Sequence, residues 1–359
     1  MIFQRALLRE FAATGVATFL VLLAITITTQ LIRFLGYAAR GNISTDAVLT
    51  FLGFASIRYL PILLSLTLFI SVLLTLTRSY RDSEMVVWFT SGQPLTAWVK
   101  PTLIFAAPFV LTIALLSMQL SPWATARAEE YRRQLESRDD VAAISPGVFK
   151  EARHSDYVYF VEKLTMDLSV VANIFVHSEK EGEIATTVAK RGYQETAANG
   201  DRFLVLLNGR RYEGPPGSAE YKIVEFDKYA VRIDAKEVEE EAPSVKSRPT
   251  EALLGDSSPE GRAELIWRLG LPLSAFVLCV LAIPLSFVNP RAGRSLNLIV
   301  AALIYMVYSN LLSIVQAWVA QQKVPPSVGL WIMHALMLAL ALALFRWRQS
   351  VHSLLRLRR

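Results

Sequence analysis

The chain has 359 residues, of which 53% are hydrophobic and only 19% charged, with a formal net charge of +6. Soluble domains carry about 25% charged residues, so this balance points to a membrane protein. The single cysteine, Cys279, excludes a disulfide-stapled fold. Charge is also divided unevenly: residues 124–262 carry 20 Lys and Arg against 26 Asp and Glu, and the rest of the chain carries 17 against 5. The basic excess therefore flanks apolar segments, where it faces lipid headgroups and sets topology, and is not a nucleic-acid signal.

Six apolar stretches reach the roughly 20 residues needed to cross the hydrocarbon layer. They cover residues 11–32, 48–76, 97–120, 266–287, 296–319 and 328–345. The first is too long for the apolar region of a signal peptide and no small-residue cleavage site follows it, so a retained helix is expected. Arg58 and Pro61 interrupt the second, which predicts a tilted or kinked extension. Pro272 and Pro284 interrupt the fourth, as membrane helices tolerate when neighbours satisfy the freed backbone.

Short-loop Lys and Arg set the orientation. One side carries Arg5, Arg9, Arg78, Arg81, Lys100, Arg291, Arg294 and the tail residues Arg346, Arg348, Arg356, Arg358 and Arg359. The other carries Arg33, Arg40, Arg58 and Lys323. That asymmetry places both termini in the cytoplasm and the insert between spans three and four outside. Three regions follow: residues 1–123 with spans one to three, a soluble insert over 124–262, and 263–359 with spans four to six and a basic tail.

The insert opens with a helical continuation of span three over 124–138. Short β-type runs follow at 157–161, 170–177, 185–189, 203–207, 221–226 and 229–233. Turn-forming residues separate them, and Asn208-Gly209 reads as a hairpin because both central positions of such a turn favour positive φ. Strands spaced by about ten residues without helical patterning predict an antiparallel sandwich, barrel or jelly roll. The charged, apolar-poor stretch 237–259 reads as a mobile linker back to the membrane.

Several chemistries have no motif to carry them. The sequence contains no phosphate-binding loop, no His-Glu-x-x-His, no paired cysteine ligands and no Gly-x-Ser-x-Gly. His154 and His177 lack metal-ligand spacing, and His334 within span six reads as a packing or hydrogen-bonding residue ahead of a proton relay. No catalytic residue, metal or cofactor is expected. The remaining classes are a permease without its own ATPase, a sensor or assembly factor with a ligand-binding β domain, and a membrane-embedded hydrolase or transferase. No intramembrane acid–His or Ser–Lys pair supports the last.

Two motifs stand out. The loop between spans two and three predicts a short helix over about 79–91, capped by Ser83 or Asp82, with Glu84 in its first turn. It is expected to present Tyr80, Met85, Trp88 and Phe89, either to the membrane interface or to the groove of a cytosolic partner, the acid favouring a protein socket. The second motif brackets span four. Ala263-Glu264-Leu265-Ile266-Trp267-Arg268 enters it, and Pro284-Leu285-Ser286-Phe287-Val288-Asn289-Pro290-Arg291-Ala292-Gly293-Arg294 leaves it. Topology alone accounts for its parts.

With Arg9-Glu10, the Leu31-Ile32-Arg33-Phe34-Leu35-Gly36 end of span one and the Ser83-Glu84 helix, these strings resemble the LptF/LptG permease family of the lipopolysaccharide-export ABC transporter, in its LptF branch. The resemblance covers nearly the whole chain. It implies a six-helix inner-membrane permease with a periplasmic β-jelly roll. Such a permease pairs with the LptG permease, sits on a dimer of the ATPase LptB, and meets the β-protein LptC. ATP is then used by the partner, and lipopolysaccharide passes from the outer leaflet through the cavity onto the jelly rolls. Glu84 matches the acidic contact with the ATPase, with Ser83 and Trp88 beside it. Spans one and five are the expected lateral-gate helices. Arg33 matches a basic position in reach of lipid A phosphates, whereas Arg40 and Arg58 read as snorkelling anchors. Tyr157, Tyr159 and Phe203 are candidates for contact with acyl chains in the β domain.

Overall fold

The computed structural model describes residues 2–40, 43–142, 150–151, 157–164, 170–180, 183–196, 202–215, 222–233, 243–287 and 294–356. They form two compact units, one of Met1–Arg132 with Pro243–Arg359 and one of Arg133–Ala242.

In the first unit the long helices are α1 (Ile2–Ala39), α2 (Ala47–Arg81), α4 (Val99–Leu115), α5 (Ser121–Ala142, in this unit as far as Arg132), α7 (Pro259–Leu285), α8 (Arg294–Ala320) and α9 (Pro326–Arg356). Two short ones, α3 (Glu84–Thr90) and α6 (Thr250–Leu254), lie between them. Among the described residues six segments are long and apolar enough to cross a membrane, and each predicted span overlaps one of them, the fourth running two residues past Leu285 and the fifth starting three residues before Ile299. In α2 the helix runs on through Arg58 and Pro61. Span three is one continuous helical path in which residues Leu116–Leu120 widen into a π-helix between α4 and α5.

Several hydroxyl side chains inside these helices turn back onto their own backbone, where no water competes. Thr26 donates to the Leu22 carbonyl and Thr112 to the Pro108 carbonyl, each at 2.8 Å. The apolar core runs through Phe11, Phe69, Leu73, Trp98, Leu278, Ile283 and Tyr308. Enclosure is uneven: 61% and 72% of the most apolar windows of α2 and α7 are buried, against 11% and 17% for α1 and α8. Helices α2 and α7 form the centre, and α1 and α8 leave most of their apolar surface uncovered.

The second unit carries β1 (Lys150–Glu151), β2 (Tyr157–Leu164), β3 (Val170–Lys180), β4 (Glu183–Thr196), β5 (Arg202–Gly214) and β6 (Lys222–Ile233) in one antiparallel sheet. Each strand pairs with its sequence neighbour, so the described strands form a meander. A small core of Ile174, Val176, Ala189 and Leu206 lies on the sheet, with Leu204, Phe226 and Tyr229 against it.

Two readings of this region are corrected. Asn208-Gly209 is not a hairpin turn: β5 runs straight through it, and the predicted strands 221–226 and 229–233 are one strand, β6. Asn208 does take a positive φ of 52°, as does Asn173 at 51° in β3. Both fall where the ladder skips a pair, on one row across β3, β4 and β5. The preference that makes a turn elsewhere makes a crease here, because neighbours hold the strand on both sides. Gly209 is required by close approach, since a Cβ there would run into the Phe226 ring and the Val188 carbonyl. The second correction concerns the linker. Residues 243–258 fold as a 3-10 turn at Val245–Ser247 and helix α6, packed against α7. The predicted turns at 165–167, 199–201 and 216–217 lie outside the described residues.

Candidate functional site

Helix α3 stands where α2 turns into span three, beside the start of α1. Ser83 sits at its N-cap position but with φ of 60° and no side-chain capping bond, so neither Ser83 nor Asp82 caps in the way expected. A left-handed backbone there turns the chain sharply and points the hydroxyl away from the free N–H groups. Glu84 instead meets Arg78 at 3.4 Å, and the same guanidinium reaches Glu10 on α1 at 2.8 Å and Asp82 at 3.6 Å. These pairs are about two-fifths exposed and contribute about 0–1 kcal/mol each. Their effect is to fix the orientation of the loop.

The expected exposed face of α3 is reversed. Met85 is buried, and Tyr80, Trp88 and Phe89 pack on the core, with Phe89 5.7 Å from the ring of buried Trp98. The face left open carries Val86 and Val87, 58% and 66% exposed, together with the half-buried Glu84. Aromatic side chains next to a large apolar core are drawn into it, and the smaller valines remain outside.

At the opposite end of the unit, the last turns of α1 meet the first turns of α2. Arg33 donates from Nε to the Tyr37 hydroxyl at 3.1 Å, and the guanidiniums of Arg33 and Arg40 lie 5.7 and 5.4 Å from the Tyr37 ring centre. Spacings of four and three residues put all three side chains on one helix face. Arg58 lies over Tyr59 at 5.2 Å, and Tyr59 also interacts with Arg33 and buried Gln30. Stacking of Phe34 on Phe51 at 5.9 Å fixes the two helices together beneath this group. No carboxylate among the described residues pairs with Arg33, Arg40 or Arg58, so three exposed cations meet only tyrosines and backbone. Arg40 and Arg58, read from the sequence as anchors, lie with Arg33 around Tyr37 and Tyr59.

The β-domain candidates are not brought to one place. Tyr157 and Tyr159 in β2 stand opposite Ser178 and Val176, whereas Phe203 in β5 stands opposite Glu195 and Arg232. Two strands, β3 and β4, lie between them, about 14 Å across the sheet.

Sequence reasoning missed a third arrangement. Arg268, on the first third of α7, is 2% exposed. Its Nε donates to Glu264 at 2.9 Å, Nη1 to the Arg248 carbonyl at 3.0 Å and the Thr250 hydroxyl at 2.8 Å, and Nη2 to the Lys246 and Val245 carbonyls at 3.1 and 3.5 Å. A guanidinium has five N–H groups, and each has a partner here. Glu264 receives Gln316 of α8 at 3.4 Å. Thr250 donates to the Met118 carbonyl inside the π-helical stretch, and Ser117 of that stretch donates to the Arg268 carbonyl at 3.1 Å. The sequence signal was present, an i,i+4 Glu/Arg pair entering an apolar span, but its partners come from a segment expected to be loose. Nearby, the Ser258 backbone N–H, its hydroxyl and Arg248 hold the Asp256 carboxyl below the usual carboxylate range.

Among the described histidines, His334 is buried and bonds Tyr308, and His177 bonds Thr186 at 3.0 Å. Among the described residues no group of His, Cys, Asp and Glu is arranged to hold a metal.

Six membrane-length helices interrupted by an antiparallel β unit define the class: a multi-pass membrane protein with a β insert between its third and fourth spans. Residues 5–347 match the family described as lipopolysaccharide export system permease LptF/LptG, and the chain belongs to that family. It is similar to the lipopolysaccharide export system permease protein LptF of Escherichia coli (strain K12), with 28% identity over 350 residues, covering 97% of this chain and 95% of that one. The LptF proteins of Escherichia coli O157:H7 and Shigella flexneri match with the same identity and coverage. The chain is thus an inner-membrane, multi-pass member of a lipopolysaccharide-export permease family.

Proposed function

We propose that the chain is the LptF-type permease subunit of an ABC transporter, taking lipopolysaccharide from the outer leaflet of the inner membrane and passing it towards the outer membrane. Its termini are cytoplasmic and its β unit periplasmic. It pairs with an LptG-type permease, is driven by an LptB-type ATPase dimer, and meets an LptC-type β-protein. ATP is consumed by the partner.

One observation carries this reading: Arg33, Arg40 and Arg58 stand uncompensated by any described carboxylate around Tyr37 and Tyr59, at the membrane-boundary end of α1. An amphiphile with phosphates on its headgroup and many acyl chains needs cations at the interface beside an uncovered apolar surface, and α1 offers that surface directly below. A charge-assisted bond from Arg33 to a phosphate contributes on the order of 1.5–3 kcal/mol. At the other end, Glu84 with Val86 and Val87 forms a small acidic-apolar knob suited to a groove on the ATPase.

Complementation tests the assignment. The chain is expected to restore growth and surface lipopolysaccharide in a strain depleted of LptF, and not in one depleted of LptG. Rescue of the LptG-depleted strain alone would reverse the subunit assignment, and rescue of neither would remove support for it.

A further inference from the structure

We propose that Arg268 is a positioning residue for transport: it locks the segment returning from the β unit onto α7, so that movement of spans three and four reaches the β unit without being lost in a slack tether. The inference rests on the permease reading above and adds a residue and a role to it.

The chain leaves the helical unit along α5 and re-enters it at Pro243. Both passages are held at one place. Arg268 engages Val245, Lys246, Arg248 and Thr250 of the returning segment, and Thr250 engages Met118 of span three. Ser244 bonds Glu129 on α5, tying the departing and returning chains to each other. The π-helical stretch Leu116–Leu120 lies in the middle of this set, with its Ser117 hydroxyl on the Arg268 carbonyl. Widened turns of this kind expose carbonyls that a regular helix would use internally, and they recur at functional sites.

A cation whose five donors are all engaged, four of its contacts being to the returning segment, is an expensive way to fill a helix interface. Well-packed apolar residues stabilise such sites as well or better than a buried ion pair. What they cannot do is hold main-chain carbonyls in register. The arrangement therefore serves position more than stability.

The test uses the assembled transporter in proteoliposomes containing lipopolysaccharide, with transfer to a periplasmic acceptor and ATP hydrolysis measured together. In Glu264→Leu with Arg268→Met, the complex is expected to assemble with ATP hydrolysis near wild type. Transfer per ATP falls about tenfold, within the 5–150-fold range of coupling between sites. Adding Glu129→Cys with Ser244→Cys, whose side chains already meet, should restore transfer on oxidation and lose it on reduction. A purely structural role would not respond to that redox cycle. If the double variant does not assemble, Thr250→Val and Arg268→Lys carry the same measurement with the packing volume kept. Unchanged transfer per ATP, or no recovery on oxidation, overturns the proposal. Failure of the unmodified complex to transfer lipopolysaccharide would instead count against the permease reading.

Discussion

Arg33 and Arg268 belong to the same end of the helical unit, and the structure uses them in opposite ways. Arg33 is exposed, with tyrosines as its partners and no ion pair to a described carboxylate. Arg268 is buried, with every N–H engaged and a carboxylate bound. An arginine is available to a ligand in the first setting and unavailable in the second. The contrast teaches that residue type at a membrane boundary says little until its donors are counted.

The largest expected effect follows from removing the buried partner. Arg268→Met leaves Glu264 buried without its cation and should destabilise the helical unit by on the order of 3–5 kcal/mol. Arg33→Met, at an exposed site, should stay within about 0.5 kcal/mol. Thermal unfolding of the purified complex measures both. Equal losses would erase the distinction between a spent arginine and an available one.

Helix α3 sharpens the same contrast at the other end of the unit. Met85→Ala removes a buried side chain and should cost about 2–5 kcal/mol of stability. Glu84→Ala should leave stability within about 0.5 kcal/mol and lower co-purification of the ATPase. A Glu84→Ala complex with wild-type yield and wild-type export would break the assignment of the knob.

The smallest effect is a pH dependence. The folded pKa of Asp256 is depressed, so its contribution is present above the unfolded value, near 4, and is lost as pH falls through the lower folded value. Asp256→Asn should lower stability slightly at neutral pH, with the difference from wild type vanishing as pH falls below the folded value, so that the acid limb of the thermal-stability profile flattens. A variant that loses as much well below pH 4 as at pH 7 would show that Asp256 acts through something other than its charge.

The six spans were legible because lipid imposes one requirement, a long apolar run, and Pro61, Pro272 and Pro284 do not cancel it. The local pattern was less reliable where tertiary contacts outweighed it. Asn208-Gly209 carries a turn preference, yet strands on both sides hold it in a creased ladder. Ser83 carries a capping preference, yet the tight exit from α2 fixes it in the left-handed region. At the candidate site, Glu84 stood out as an acid on a short amphipathic helix, whereas Arg33 was singled out only by the family resemblance. The Arg268 arrangement was not visible, because carbonyls of a polar segment leave no signature in side-chain composition.

The central claim is that the α1–α2 end takes the phosphorylated headgroup. A photo-crosslinking residue at Ile32, which is 66% exposed and next to Arg33, tests it in the assembled transporter. Lipopolysaccharide adducts should form, and Arg33→Glu should cut them about tenfold or more, the loss of one charge-assisted bond, with Arg40→Glu having a smaller effect. Adducts that persist undiminished in Arg33→Glu, or fall equally in both variants, would contradict a specific phosphate contact and leave only headgroup anchoring.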